Sequence, residues 1–436
     1  MNRREFLYTP IIPQVLASAP AYAQATPTYD IVLKGGHVID VANRVNQPMD
    51  VAIQGGKIAH LDKDIPRAEG KTSVDVSGYY VTPGLIDLHI CCYYTNLNVT
   101  ASVIADHHCL PSGVTTCCDG GTAGADNFED FKRIIDRSKM RILSFLNIAA
   151  PGAESSRAEQ DPSQFKVKLA ADTAKKYPNI IVGFKTGHYG GKFDEKRTPW
   201  ASIDSVVEAG RLTSLPVLAD FTPMPAQGNF PARSYREFLL EKLRPGDIVT
   251  HCLANRYPFL TDDGKLNPDV QKARERGVKF DLGHASGSFM LRLVVPAVEQ
   301  GFIPDSISAD LFSDTPVTVG INLVNVMSKF LCLGVTLEDI IRRTTWNPAQ
   351  MIHRPELGKL SIGSPADIAV FEMVRGKFAF RGSGGGKIVG DRKLQCVLTL
   401  FGGEIVYDHP YGLSTPLWQD IPKDSRYWAN ANTQKW

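Results

Sequence analysis

Six side chains able to bind a cation or move a proton each close a short apolar run. They are His89 and Cys91 in Asp87-Leu88-His89-Ile90-Cys91, Lys185 in Gly183-Phe184-Lys185, Asp220 in Ala219-Asp220, His251 in Thr250-His251-Cys252, and Asp310 in Ala309-Asp310. Imidazole, thiolate and carboxylate are the groups that hold divalent metals. Each residue also has a plainer reading: a strand-end histidine hydrogen-bonded in a core, a lysine reaching for solvent, an aspartate capping the next helix. Their recurrence at equivalent places is what gives them weight. Gathering unpaired charges in one mouth is costly, and a shared cation relieves that cost.

For the six to meet, the elements carrying them must converge. From about residue 83 to about 351, strand-like runs alternate with amphipathic stretches, the pattern of parallel βαβ units. Eight strands are predicted at 85–90, 114–119, 141–148, 180–185, 216–221, 247–253, 278–282 and 306–310, each followed by a helix. After the second, Phe128, Phe131, Ile134 and Ile135 form one stripe suited to packing on a sheet. Eight such repeats predict an α/β fold, a (β/α)8 TIM barrel, with chemistry at the C-terminal ends of the strands. His89 and Cys91, two apart in a strand, are expected on one face. His188 and Tyr189 beyond strand four, and His284 beyond strand seven, are expected on the same rim as substrate contacts.

Both chain ends carry short β-runs punctuated by glycine. Ile31-Val32-Leu33 is separated from Val38-Ile39 by Gly35-Gly36, and Gly55-Gly56-Lys57-Ile58 is echoed by Gly402-Gly403-Glu404-Ile405. Neither end alone offers enough strands, so the two are expected to join in a small β-sandwich domain, 28–83 plus 357–410, beside a barrel spanning 84–356. Gly382–Gly386 reads as a flexible loop. A tail, 411–436, with Trp418, Trp428 and Trp436, is expected to pack on the body or on a neighbouring subunit of a homo-oligomer.

Residues 1–25 read as an export leader of the twin-arginine type, with Arg3-Arg4-Glu5-Phe6-Leu7 and small residues at Ala21-Tyr22-Ala23-Gln24-Ala25, which predicts a periplasmic protein. Broken by Pro10, Pro13 and Pro20, this stretch is too short to span a bilayer, and no other run approaches the roughly 18 apolar residues a span needs. With 22% charged residues and a net charge of +2, the 436-residue chain has no field to recruit nucleic acid or an anionic membrane, so a small molecule is the expected partner. Cys91-Cys92 and Cys117-Cys118 are adjacent pairs in strand-like runs and read as packing thiols, not disulfides.

Val81-Thr82-Pro83-Gly84-Leu85-Ile86-Asp87-Leu88-His89 resembles the strand-one signature of the amidohydrolase superfamily. More narrowly, the chain from about 29 to about 407 resembles the dihydroorotase-like amidohydrolase/deacetylase branch. Gly113-Val114-Thr115-Thr116, Gly246-Asp247-Ile248-Val249-Thr250-His251, Asp281-Leu282-Gly283-His284, Ile307-Ser308-Ala309-Asp310 and Met327-Ser328-Lys329 fall in the expected order. The resemblance implies one or two divalent ions, usually zinc. One would be held by the strand-one pair and Asp310, the other by the strand-five and strand-six residues, with Lys185 as a bridging carboxylated lysine. It further implies hydrolysis of an amide, cyclic amide or ester of a small molecule, an N-acyl amino acid or related compound, by metal-activated hydroxide, with Asp310 passing the proton. His89, Lys185, His251 and Asp310 match; Cys91 and Asp220 stand where the family has histidine. Both replacements can bind metal, yet together they make the site more negative by about two charges if Cys91 ionises. The same two departures also fit a catalytically silent barrel that binds a small ligand.

Overall fold

The protein is described from a computed structural model covering residues 27–94, 102–154, 157–318 and 320–428. The leader reading and Trp436 lie outside these residues. Five strands open the chain: β1 (Tyr29–Asp40), β2 (Val45–Gln54), β3 (Lys57–Asp62), β4 (Gly70–Asp75) and β5 (Tyr80–Pro83). Seven short ones follow, separated by helices: β6 (Leu85–Ile90), β7 (Val114–Asp119), β8 (Arg141–Asn147), β9 (Ile181–Thr186), β10 (Val217–Ala219), β11 (Ile248–Val249) and β12 (Lys279–Phe280). Three more close the described sheet structure: β13 (Ile368–Arg381), β14 (Lys387–Phe401) and β15 (Glu404–Asp408).

Strands from the two chain ends share one sheet, in the order β15-β14-β13-β5-β1-β2-β3 with β4 beside β1. They join where β5 runs antiparallel to β13, with Val81 opposite Val370 and Pro83 opposite Ile368. Leu33, Val51, Ile53, Val370, Leu398 and Leu400 fill its core. The expected turn at Gly35-Gly36 is corrected here. β1 runs straight through, and the glycines form a bulge between Leu33 and Gly36, with Gly35 at φ +74°. The two echoing glycine pairs are genuine hairpin turns, all four residues at positive φ, as the tight turn between right-twisted strands requires. They also touch: a Cβ on Gly403 would lie 2.9 Å from the Gly56 Cα.

The second sheet is wholly parallel, ordered β12-β11-β10-β9-β8-β7-β6. Alternate residues serve two cores. Leu88, Cys118, Phe145, Leu218 and Ile248 pack together on one face, while Cys117, Leu146, Val217 and Val249 face the helices on the other. The predicted stripe lies on helix Phe128–Ile135, with Phe128 and Phe131 fully buried against the sheet. Strands five to seven are shorter than expected, and 306–310 forms no strand among the described residues. That segment nevertheless stitches the two sheet edges together: Leu282 N donates to Ser306 O at 3.1 Å, and Cys91 N donates to Leu311 O at 2.7 Å. β11 ends where the chain turns left-handed at His251 (φ +55°), and the 306–311 segment turns the same way at Asp310 (φ +49°).

All eight cysteines are free thiols, and no described helix is long and apolar enough to cross a membrane. Gly382–Gly386 turns the long β13–β14 hairpin, and its tip is anchored: Ser383 N donates to Phe289 O at 2.9 Å, and Phe289 N donates to Ser383 Oγ at 3.0 Å. The tail folds partly on itself through Trp418 and Trp428, whose ring centroids lie 6.0 Å apart.

The two glycine turns separate two costs. Gly55→Ala meets nothing within 4 Å at φ +56°, so only the left-handed cost of about 1–2 kcal/mol applies. Gly403→Ala adds the steric conflict with Gly56 and should lower the thermal midpoint clearly more in paired melts; equal shifts would show that the turn contact does not hold the sheet.

Candidate metal centre

Among the described residues, His89, His251 and Asp310 bring one ligand atom each within 4.8 Å of one another, and all three are buried. His89 Nε2 stands 3.5 Å from Asp310 Oδ1, and His251 Nε2 stands 3.7 Å from Asp310 Oδ2. The residues come from β6, the stretch just past β11 and the 306–311 segment, so the parallel sheet and the contacts that tie 306–311 to its edges make them neighbours. His251 and Asp310 both hold a left-handed backbone that costs an ordinary residue about 1–2 kcal/mol. Strain of this kind persists only where surrounding contacts impose it, and functional sites are where it collects. Gly120 clears the way: a Cβ there would lie 2.4 Å from His89 Nε2.

The ring orientations are set from behind. Asp281, fully buried, accepts from the hydroxyls of Ser306, Ser308 (2.8 Å) and Thr250 (3.0 Å). Because the Thr250 proton is committed to Asp281, its oxygen accepts from His89 Nδ1 at 3.0 Å, and the Nε2 lone pair is left for the cleft. His251 Nδ1 donates to the Gly283 carbonyl at 2.8 Å, which frees its Nε2 in the same way. Gly283 N in turn donates to Ser308 Oγ at 2.9 Å, so one hydroxyl network braces both imidazoles. Burial pushes both histidines down, His251 to about 3, and keeps them neutral, the form in which imidazole ligates metal. Burial raises the Asp310 carboxyl to about 7.

A second group of charges lies beside the first. Asp220 is buried; its Oδ1 accepts from the Arg256 guanidinium and, at 3.3 Å, from the Tyr257 hydroxyl. Its Oδ2 has no hydrogen-bond partner and faces His188 Nε2 at 3.5 Å and His251 Nε2 at 3.9 Å. Burial acts to raise the Asp220 carboxyl, but the Arg256 guanidinium above all holds it well below the usual carboxylate range. His188, exposed at the mouth, is shared with buried Glu159 at 3.6 Å, and that contact together with Asp220 raises its pKa. Lys185 is buried within the electrostatic reach of Asp310, Asp220, His89 and His188.

Two expectations about placement, those for Tyr189 and His284, need correction. Cys91 is not one of the three residues whose ligand atoms meet, but its thiol lies within the electrostatic reach of Asp310 and Lys185. Burial pushes its thiol well up. Tyr189 is not on the rim: it is 2% exposed, its hydroxyl donates to Thr198 O, and its ring packs on Phe165 and Arg233. His284 is completely buried and stacked on Phe289, with Nδ1 donating to Ala285 O and Nε2 bonded to Lys329 Nζ at 2.7 Å. His188 alone of the three expected rim residues is exposed.

Arg256 and Glu159 were invisible to sequence reasoning because both sit on loops well past a strand end. Thr250 and Asp281 lie inside recognisable motifs, but only their contacts reveal a bracing role.

No family model matches the chain. It is similar to a deacetylase of Enterococcus faecalis, 26% identical over 87% of this chain and 100% of that protein, and to a deacetylase of Brucella anthropi, 29% identical over 73% and 76%. A solved adenine deaminase superposes with a TM-score of 0.78 at 25% identity, covering 87% of this chain and 100% of that one. A solved dihydroorotase shares the fold as well.

Two measurements test the bracing and the rim. Thr250→Val removes one of the two donors to an Asp281 oxygen, which keeps Ser308, and leaves His89 Nδ1 without a partner; it should cost about 1–3 kcal/mol in denaturant unfolding, and a neutral change would show the relay to be idle. For His188, the raised pKa means that its contribution to stability is present below about 6.5, the unfolded value, and is lost as pH rises through the folded value. An NMR titration should therefore place its midpoint above 6.5, and Glu159→Gln should bring it down.

Proposed function

We propose that this chain, a hydrolase of the amidohydrolase superfamily, is a metal-dependent enzyme that cleaves an amide, cyclic amide or ester bond of a small molecule, with N-acyl amino acids and related acylated compounds as the favoured class. The observation that carries this reading is the convergence of His89, His251 and Asp310, two neutral imidazoles and a carboxylate, at one buried point. These residues suit a divalent ion. Both Nδ1 atoms are already engaged behind the site, both Nε2 atoms face the cleft, and the Asp310 carboxylate lies between them. Zinc is the ion that such a nitrogen and oxygen donor set favours.

When bound, the ion supplies Lewis acidity, polarising a carbonyl and making water acidic near neutral pH. The chain's own groups supply the rest. Asp310 takes the proton of the attacking water on a carboxylate oxygen and returns it to the leaving nitrogen or oxygen. Thr250 and Gly283 keep the two imidazoles aimed at the cleft throughout. His188, exposed at the mouth between Glu159 and Asp220, meets the substrate first. A carboxylated Lys185 would turn an ammonium that repels cations into an anion that attracts them. The deacetylase names of the relatives favour an acylated amine over a nucleobase; the adenine deaminases of Agrobacterium fabrum and Rhizobium meliloti are matched over 56% and 59% of their length, whereas the solved adenine deaminase is matched over the whole of its chain.

The architecture proposed with this function is a closed (β/α)8 barrel over 84–356, with 306–311 as its eighth staves-joining segment, and a small β-sandwich from 28–83 plus 357–410. Residues 1–25 are proposed as a twin-arginine leader that delivers the enzyme to the periplasm. N-terminal sequencing of the protein recovered from periplasmic extract would show the leader removed; full-length protein in the cytoplasm would refute export.

Purified protein should contain a divalent metal and hydrolyse a member of a panel of N-acyl amino acids, cyclic ureides and acyl esters. His251→Ala and Asp310→Asn should each lower kcat by at least about 10²-fold. Metal-free protein that binds a panel member without turnover would favour the silent ligand-binding barrel instead.

A further inference from the structure

We infer that the metal centre holds one ion, not two, because the Arg256 guanidinium takes the place of the second cation. The inference rests on the hydrolase reading above and specifies how its site is built.

The two-ion arrangement implied by the sequence resemblance needs a second ligand set around the strand-five and strand-six residues. His251, the strand-six member, is already turned to the first set, with its Nε2 3.7 Å from Asp310. Asp220, the strand-five member, has one oxygen already engaged by the protein. That oxygen accepts from Arg256 and from the Tyr257 hydroxyl, while the other, without a hydrogen-bond partner, faces the rings of His188 and His251. Arg256 is also fixed in place, since its Nε donates to the Phe221 carbonyl at 3.2 Å and its guanidinium carbon lies 5.2 Å from the Tyr257 ring centre. A divalent ion on Asp220 would face this anchored guanidinium across a single carboxylate, where like charges with little intervening water repel strongly. The replacement of histidine by aspartate on strand five is then explained: an imidazole could not hold Arg256, whereas a carboxylate forms the charge-assisted pair the guanidinium requires.

The three-residue group offers fewer ligands than a buried zinc usually takes from protein alone, and this fits a site that keeps a position open for substrate.

Elemental analysis combined with zinc titration by calorimetry tests the count. Wild-type protein saturated with zinc should bind about one ion per chain, Asp220→Asn should leave that number unchanged, and His89→Ala should abolish binding. Arg256→Met frees the carboxylate and should raise the number toward about two, whereas Arg256→Lys, which keeps the charge, should not. Circular dichroism melts check that each variant is folded, and the wild-type and Asp220→Asn counts decide the matter even if Arg256→Met is unstable. Two ions in active wild-type protein, or loss of an ion in Asp220→Asn, would overturn the inference while leaving the hydrolase reading intact. Wild-type protein that binds no zinc and hydrolyses nothing would overturn both.

Discussion

Three groups that would each rather be solvated are held out of water with their lone pairs aimed at one point, and the buried Asp281 carboxylate is what keeps them aimed. By taking hydroxyl protons from Ser306, Ser308 and Thr250, it fixes the direction of every hydrogen bond beyond it. Thr250 can then only accept from His89, and Ser308 accepts from Gly283 N, next to the carbonyl that receives the His251 proton. A buried network of this kind is stable only when every member is satisfied. Its completeness allows both imidazoles to stay neutral and to present the same nitrogen to the cleft.

That bracing also explains why the strand ends are irregular. A regular ladder would continue the pleat past Val249 and turn His251 toward a neighbouring strand. The left-handed turn at His251, and the matching one at Asp310, rotate both side chains inward at a conformational cost that the hydrogen bonds behind them offset. The short β11 is thus part of the site's construction. The 306–311 segment carries Asp310 and tethers both edges of the sheet, so the group of three and the closure of the parallel sheet rely on the same backbone contacts.

Beside this centre lies a charged one, in which Arg256 answers one oxygen of Asp220 and Glu159 shares His188, while the other Asp220 oxygen is left without a hydrogen-bond partner. The contrast is physical. The first group leaves imidazole lone pairs facing the cleft, while the second answers most of its charge with a protein counter-charge. The mouth therefore joins a place for an ion to a polar wall, and the exposed His188 marks where they meet.

Much of this was legible in the residues. Alternating apolar runs and helical stripes predicted the parallel strands, because burial on both faces demands those periods, and the Phe128 and Phe131 stripe lies where its spacing put it. The convergence of His89, His251 and Asp310 was legible too, although Asp310 is delivered by a segment that forms no strand among the described residues. Local pattern could not reveal where the pattern breaks. The Gly35 bulge replaced an expected turn, and burial withdrew Tyr189 and His284 from the rim. Nor could spacing pair Asp220 with Arg256, 36 residues away on a loop, because an ion pair depends on where two side chains end in space. Sequence alone determined which chemical groups were available and which strands delivered them; the tertiary structure decided which groups remained open to a cation and which had already been answered by another part of the chain.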